Sequence, residues 1–160
     1  MIARTDSVYV VALGGDTPPW STISWRDIVD VRRCYFHPVG RSNFPKEPVR
    51  WLGFRYDGCL QSIHRVEQVV EVACRSEFSR HVPEIDGEAC RQAYDHGERV
   101  PHFVYTLGPP ERPAHVVRSG KIYGPGHLEI DRDFLLSSKT VREAFDRTRA
   151  RRAELIKGHY

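Results

Sequence analysis

The spacing of apolar and polar residues divides the chain into short elements. Ser7-Val8-Tyr9-Val10-Val11-Ala12-Leu13 is an apolar run closed by Gly14-Gly15, and a bounded run of this length predicts a buried strand. Asp16 to Trp20, with two prolines, predicts a loop. Ser24 with Asp27 three residues on predicts a helix start, the helix running to Val31 and extended chain from Arg32 to His37. Gly40 to Pro48 reads as a polar loop. The strongest local signal is Asp57-Gly58 between the strand-like runs 49–56 and 59–66, the second extending to Val72. A two-residue type I′ turn needs positive φ at both central positions, which Asp-Gly tolerates.

The second half of the chain carries weaker signals. Residues 75–100 are polar, with a small helix from Glu88 to Tyr94 closing at Gly97. His102 to Leu107 predicts a strand. His115–Arg118 and Lys121–Tyr123 flank Ser119-Gly120 as a second hairpin, and Leu128–Ile130 predicts a further strand. Thr140 and Glu143 form a capping box for a C-terminal helix over about 140–156. Its apolar stripe is Val141, Ala144, Phe145, Thr148, Leu155 and Ile156, and Arg152 falls on it. Arg142 and Arg149 lie on one flank, Arg147 and Arg151 on the other. Strand, helix, several strands with hairpins, then helix is an α+β order rather than alternating βα units. Five to seven short strands favour a closed or nearly closed, mixed or antiparallel small β-barrel, with a short N-terminal helix and the C-terminal helix packed on it. One domain over 1–160 is expected.

Composition adjusts this picture only in part. The net charge is +3, too small to point strongly to nucleic acid. The bases are lopsided, 20 Arg against 4 Lys, and Arg makes planar bidentate contacts with phosphate and base edges. Coding bias and an anionic partner both account for it. Cys34, Cys59, Cys74 and Cys90 form no CxxC pair, and Met1 to Asp6 carries no signal-peptide pattern, so free thiols in a cytoplasmic protein are expected. Cys34 with His37 and Cys90 with His96 do not have zinc spacing, so neither a metal nor a cofactor is expected. No apolar run reaches the roughly 18 residues that a membrane helix needs.

Chemistry follows from the hairpin. A two-residue turn sets Tyr56 opposite Cys59, Gly53 opposite Ser62 and Trp51 opposite His64. Alternation then groups Leu52, Phe54, Tyr56, Cys59, Gln61 and Ile63 as a core face. Trp51, Arg55, Leu60, Ser62, His64 and Val66 form the other face. An indole, a guanidinium, a hydroxyl and an imidazole around Gly53 can stack and hydrogen-bond a base. The same residues equally describe a packing face, with Trp51 covering a helix and His64 satisfied within the fold. Trp20, Trp25 and Tyr35 are candidates to close over this face as a ring-lined pocket. Acid–base catalysis by His64 on a nucleotide or other flat metabolite is the rival. Glu67 is a poor partner for it, because residues three apart on a strand face opposite ways. No nucleophile elbow, Walker A loop, dinucleotide fingerprint or His-Glu-x-x-His occurs. Docking of a protein partner on the C-terminal helix is a third reading.

Three stretches together resemble the PUA-like barrels, a group that includes EVE, ASCH and YTH domains. They are Tyr9 to Leu13, the Trp20–Trp25 segment before Arg33-Cys34-Tyr35, and Arg50 to Gly58. The likeness covers about the first two thirds of the chain and is one of pattern. It implies binding of RNA or DNA, with a flipped or modified base held among rings and phosphate held by Arg.

Overall fold

A computed structural model of the chain describes residues 6–94, 99–122 and 127–158. The elements are β1 (Ser7–Ala12), α1 (Trp25–Asp30), β2 (Cys34–Pro38), β3 (Trp51–Tyr56), β4 (Cys59–Val72), a 3₁₀ turn (Arg75–Arg80), α2 (Gly87–Tyr94), β5 (His102–Leu107), β6 (His127–Asp131), α3 (Arg132–Ser137) and α4 (Val141–Lys157). The α+β class holds. The strands bond in the order β2-β5-β4-β3-β1-β6, an open six-stranded sheet, so the expected barrel closure is corrected. Closure serves to remove edges. Here the β6 edge is tied to a helix instead, the Asp131 N–H donating to Thr148 Oγ1 of α4 at 3.0 Å. Among the described residues no helix is long and apolar enough to cross a membrane.

The chain forms two compact units. The first comprises the described parts of Met1–Ala12, Arg50–His64 and Pro110–Tyr160. Its hairpin has the expected turn, with φ of 51° at Asp57 and 74° at Gly58. β1 lies parallel to β3 and antiparallel to β6, setting Val8 beside Trp51 and Ile130, and Val10 beside Gly53 and Leu128. Gly53 sits at a close approach: an added Cβ would lie 3.1 Å from Val8 Cγ1 and 3.3 Å from Val10 Cγ2, tighter than ordinary contact. This face packs with Leu60 and Ile63 against Leu135, Val141 and Ala144. Thr140 caps α4, its hydroxyl accepting the Glu143 N–H at 2.9 Å while Glu143 Oε2 accepts the Lys139 N–H at 3.0 Å. The apolar stripe of α4 is buried at Val141, Ala144 and Thr148 and exposed at Leu155 and Ile156.

Among the described residues the arms of the second hairpin expected around Ser119-Gly120 do not pair with each other. Glu111 and Arg118 instead make isolated bridges to Ile63 and Cys59 of β4. Tyr123, at the end of the expected second arm, and Gly97, the expected close of α2, lie outside the described residues.

The second unit comprises Leu13–Val49 and the described parts of Arg65–Pro109. β5 pairs antiparallel with β2 and with the later part of β4, so Pro38, His102 and Val72 lie side by side. A register shift between Val66 and Gln68 leaves Glu67 as an extra residue in β4. One sheet face buries Cys34, Val72 and Val104 under Ile28, Phe78, Val82 and Cys90. The other carries a ring cluster. The His37 ring is stacked on Phe44, with centroids 5.1 Å apart and a 7° interplanar angle. A carbonyl can only accept, so the 2.9 Å contact from His37 Nδ1 to Pro38 O fixes the proton on Nδ1. Nε2 therefore accepts from the Tyr105 hydroxyl at 2.7 Å, and that hydroxyl accepts the Val49 N–H at 3.3 Å.

His102 is 1% exposed, and burial pushes its pKa down to about 4. The unfolded chain then takes this proton first, near pH 6.5. The stability that His102 contributes is complete above about pH 6.5 and is lost as the pH falls to about 4, on the order of 2–3 kcal/mol. Denaturant unfolding across this window should show a slope that His102→Gln flattens. An unchanged slope in the variant refutes the assignment.

Candidate nucleic-acid interface

The hairpin residues expected to share a binding face are separated. Trp51 lies on the face of Val8 and Val10, half-buried against the α3 and α4 core. The Arg132 guanidinium sits 4.9 Å over its ring and bonds both Glu111 carboxylate oxygens at 2.5 and 2.6 Å. The Trp51 ring is thus engaged within the first unit, packed on this core and covered on one face by a guanidinium from the chain itself. His64 sits with Phe54, ring centroids 5.6 Å apart, and Phe54 pairs with Val11 on the opposite face of β3. Leu60 and Ile63, three apart, belong to one cluster. The strict alternation read from the turn therefore slips by one residue between Leu60 and His64. Ser62 Oγ and His64 Nε2 are 3.0 Å apart, and both residues are buried. Arg55 is half-buried, and burial disfavours its charge.

In the second unit, Trp20 and Trp25 meet edge to face with centroids 5.3 Å apart. Trp25 also packs on Phe36 at 5.9 Å. Tyr35 precedes Phe36 on β2, so it faces the other side of that strand, beside His37 at 6.4 Å. Sequence reasoning missed Tyr94. Its ring lies roughly perpendicular to that of Trp20, centroids 6.0 Å apart at 82°, it is 48% exposed, and the Arg75 guanidinium lies 4.9 Å over it. Trp20 is 4% exposed, and among the described residues its indole N–H has no hydrogen-bond acceptor.

Local structure places these groups. The segment after Trp20 is zipped to residues 84–86 by the Thr22 N–H to Glu84 O and Asp86 N–H to Trp20 O bonds, at 3.0 and 2.7 Å. Ser24 caps α1 by accepting the Asp27 N–H at 3.1 Å, and the Trp25 N–H donates to Asp16 O at 3.2 Å. Gly87 starts α2 where an added Cβ would run into Ser76 O at 2.1 Å. Only glycine lets α2 approach the 3₁₀ turn so closely, which brings Tyr94 and Arg75 together.

The basic α4 helix is largely engaged within the first unit. Arg151 bonds Asp131 and Asp133 and lies 3.6 Å over the Phe134 ring. Arg147 bonds Ser138 and covers Phe134, Arg142 pairs with Asp146, and Arg152 reaches Glu129 and Asp131. Among the described residues no group of three or more His, Cys, Asp or Glu side chains is placed to hold a metal ion. Burial pushes the Cys34 and Cys90 thiols up to about 12.

No family model matches the chain, and no curated protein matches it. Among solved structures it is similar to a mutant form of ZmASCH from Zymomonas mobilis. That likeness covers 71% of this chain and 75% of the other at 15% identity, with a TM-score of 0.46.

Two outcomes follow. Ser62→Ala leaves a buried imidazole nitrogen without its hydroxyl partner and should cost about 1–3 kcal/mol in denaturant unfolding. A loss within error contradicts that role for the hydroxyl. Alkylation at pH 8, followed by intact-mass measurement, should modify Cys59 and Cys74 in the folded protein, and Cys34 and Cys90 only after unfolding. Native labelling of Cys34 or Cys90 contradicts their burial.

Proposed function

We propose that the chain is a nucleic-acid-binding module that stacks a base on Tyr94. The observation that carries this reading is the half-exposed Tyr94 ring, with Arg75 over one face and the Trp20 ring perpendicular to it. A ring backed by a guanidinium offers its remaining face as a platform, and base–aromatic stacking contributes roughly 1–3 kcal/mol per base. The Trp20 N–H supports the reading as a buried donor with no acceptor among the described residues, on a ring in contact with Tyr94. Trp25 also packs on Trp20. Trp51, Ser62 and His64 we read as framework, since each is engaged within the first unit. A PUA-like assignment, action of the two units as one domain, and a cytoplasmic location belong to the same reading. They rest on the order of elements and on the free thiols.

Titration with short single-stranded RNA and DNA, with and without modified bases, tests it. Binding should quench tryptophan emission, because Trp20 touches Tyr94. Tyr94→Ala should weaken binding by roughly 1–3 kcal/mol, and Tyr94→Phe should retain most of it. Equal affinity in wild type and Tyr94→Ala, with both folded, refutes the site. No binding to any strand at low salt refutes the function.

A further inference from the structure

Between β2 and β3 the chain makes a loop that folds on itself and lies against the ring cluster of the second unit. The Gly40 N–H donates to Pro45 O at 3.1 Å and the Phe44 N–H to Arg41 O at 3.0 Å, closing two turns. Positive φ at Gly40, Ser42 and Asn43 gives the chain its reversal. Residues 40–48 are exposed except for Phe44 and Pro45. The loop meets the rest of the unit at Val39, whose N–H donates to Pro101 O at 3.0 Å. It meets it again at Phe44, stacked on His37, and at Val49, whose N–H donates to the Tyr105 hydroxyl. The last two contacts both pass through His37, because its Nε2 takes the Tyr105 proton and leaves that oxygen free to accept from Val49.

This arrangement suits one protonation state. A phenol O–H lies in the plane of its ring and has two directions to choose from. With Nε2 bare, the proton points at His37 and the other direction accepts the Val49 N–H. Burial pushes the Tyr105 pKa up to about 12, so the hydroxyl keeps its proton at any lower pH. A second proton on His37 makes Nε2 a donor. The Tyr105 proton must then turn to the other side, where it meets the Val49 N–H, donor against donor. Tyr105 is 0% exposed and His37 1%, so the closed site offers no water to either the displaced donors or the new cation. A charged imidazole gains attraction to the Phe44 ring, but only lifting that ring away hydrates it.

The titratable and charged groups around His37 come from three strands and the loop. Tyr35 lies on its own strand, Tyr105 and His102 on β5, and Glu71 of β4 pairs with Phe103, while the loop carries Arg41, Lys46 and Glu47. Arg41 and Lys46 oppose a proton on His37, and Glu47 and Glu71 favour it. His102 and His37 oppose each other's charge, and Arg75 and Arg41 act on His102 in the same sense. Burial keeps His102 neutral down to about pH 4, so above that it brings no charge against His37.

We propose that the loop over residues 39–49 is an acid-released strap: neutral His37 latches it through Phe44 and through the Tyr105–Val49 bond, and protonation of His37 frees it and uncovers the His37 ring. The proton comes from solvent and returns to it, so the strap closes again as the pH rises. The strap stands apart from the stacking reading on Tyr94, and either can fail without the other.

The test is amide exchange by NMR on the full chain between about pH 8 and about pH 5, corrected for the pH dependence of intrinsic exchange, alongside titration of the His37 ring resonances. Protection of the Val49 N–H should fall by about 5–150-fold, the span that one unsatisfied buried donor corresponds to, with its midpoint at that of His37. The Leu107 N–H, which donates to Arg33 O at 2.8 Å in the same unit, should keep its protection. Tyr105→Phe removes the acceptor and keeps the ring, so Val49 should be open already at the upper pH and insensitive to acid. His37→Gln supplies an acceptor that does not titrate, so Val49 should stay protected throughout. His102→Gln should leave the response of Val49 as in wild type. Val49 protection that holds while His37 titrates overturns the proposal, and so does a His37 ring that stays neutral down to about pH 5. Parallel loss at Val49 and Leu107 is unfolding of the unit rather than release of a strap, and overturns it as well.

Discussion

The backbone groups of β4 have to be satisfied along 14 residues, and no single neighbour is long enough to do it. Its early part is flanked by β3 and by the bridges from Glu111 and Arg118, its later part by β5. The change of partner needs a change of phase. The alternation slips between Leu60 and His64, and Glu67 is an extra residue a few positions later. These slips let each part of the strand turn apolar side chains to its own core, Leu60 and Ile63 in one unit and Val72 in the other. From Glu67 to Glu71 the strand is exposed, and its charges and bulge there resist pairing with another chain.

Much of the fold could be read from local chemistry, because turns and caps are local events. Asp57-Gly58 predicts its turn, Ser24 and Thr140 predict their helix starts, and the runs around Val10 and Val104 predict their strands. Closure of the sheet could not be read, since whether β2 and β6 meet depends on contacts far apart in sequence. The Ser119-Gly120 hairpin failed for a related reason. Arg118 has better partners in Cys59 and Thr140 than in the residues after the turn. The helix over Arg132–Ser137 was missed because six residues give too few turns for an apolar period to show.

The candidate site was less legible than the fold. Strict alternation from the turn put Trp51 and His64 on one face, and a one-residue slip is enough to part them. The preference for Arg over Lys had a plain use in the first unit. Arg132, Arg147 and Arg151 cover aromatic rings there while bonding carboxylates or hydroxyls, a geometry that Lys cannot reproduce. Trp20 and Trp25 do meet, but their third ring is Tyr94 rather than Tyr35. Tyr94 lies some 70 residues from Trp20 in sequence and reaches it only because Gly87 admits α2 against the 3₁₀ turn. A lone glycine before a short helix carries no mark of that use.

Neither unit is continuous in sequence. The first is assembled from three stretches, separated by Leu13–Val49 and Arg65–Pro109, which are themselves the two pieces of the second. Neither can be completed by local collapse, because each must close a long loop before its strands repay the lost chain entropy. The order of synthesis sharpens the point. β1 emerges first, yet its parallel partner β3 follows some forty residues later and its other partner, β6, only near the end of the chain. During translation β1 therefore waits as an apolar strand with both edges open, while the second unit has all its residues available by Pro109. The nascent chain is most exposed to aggregation in that interval. The arrival of β6 and α4, rather than any early step, ends it.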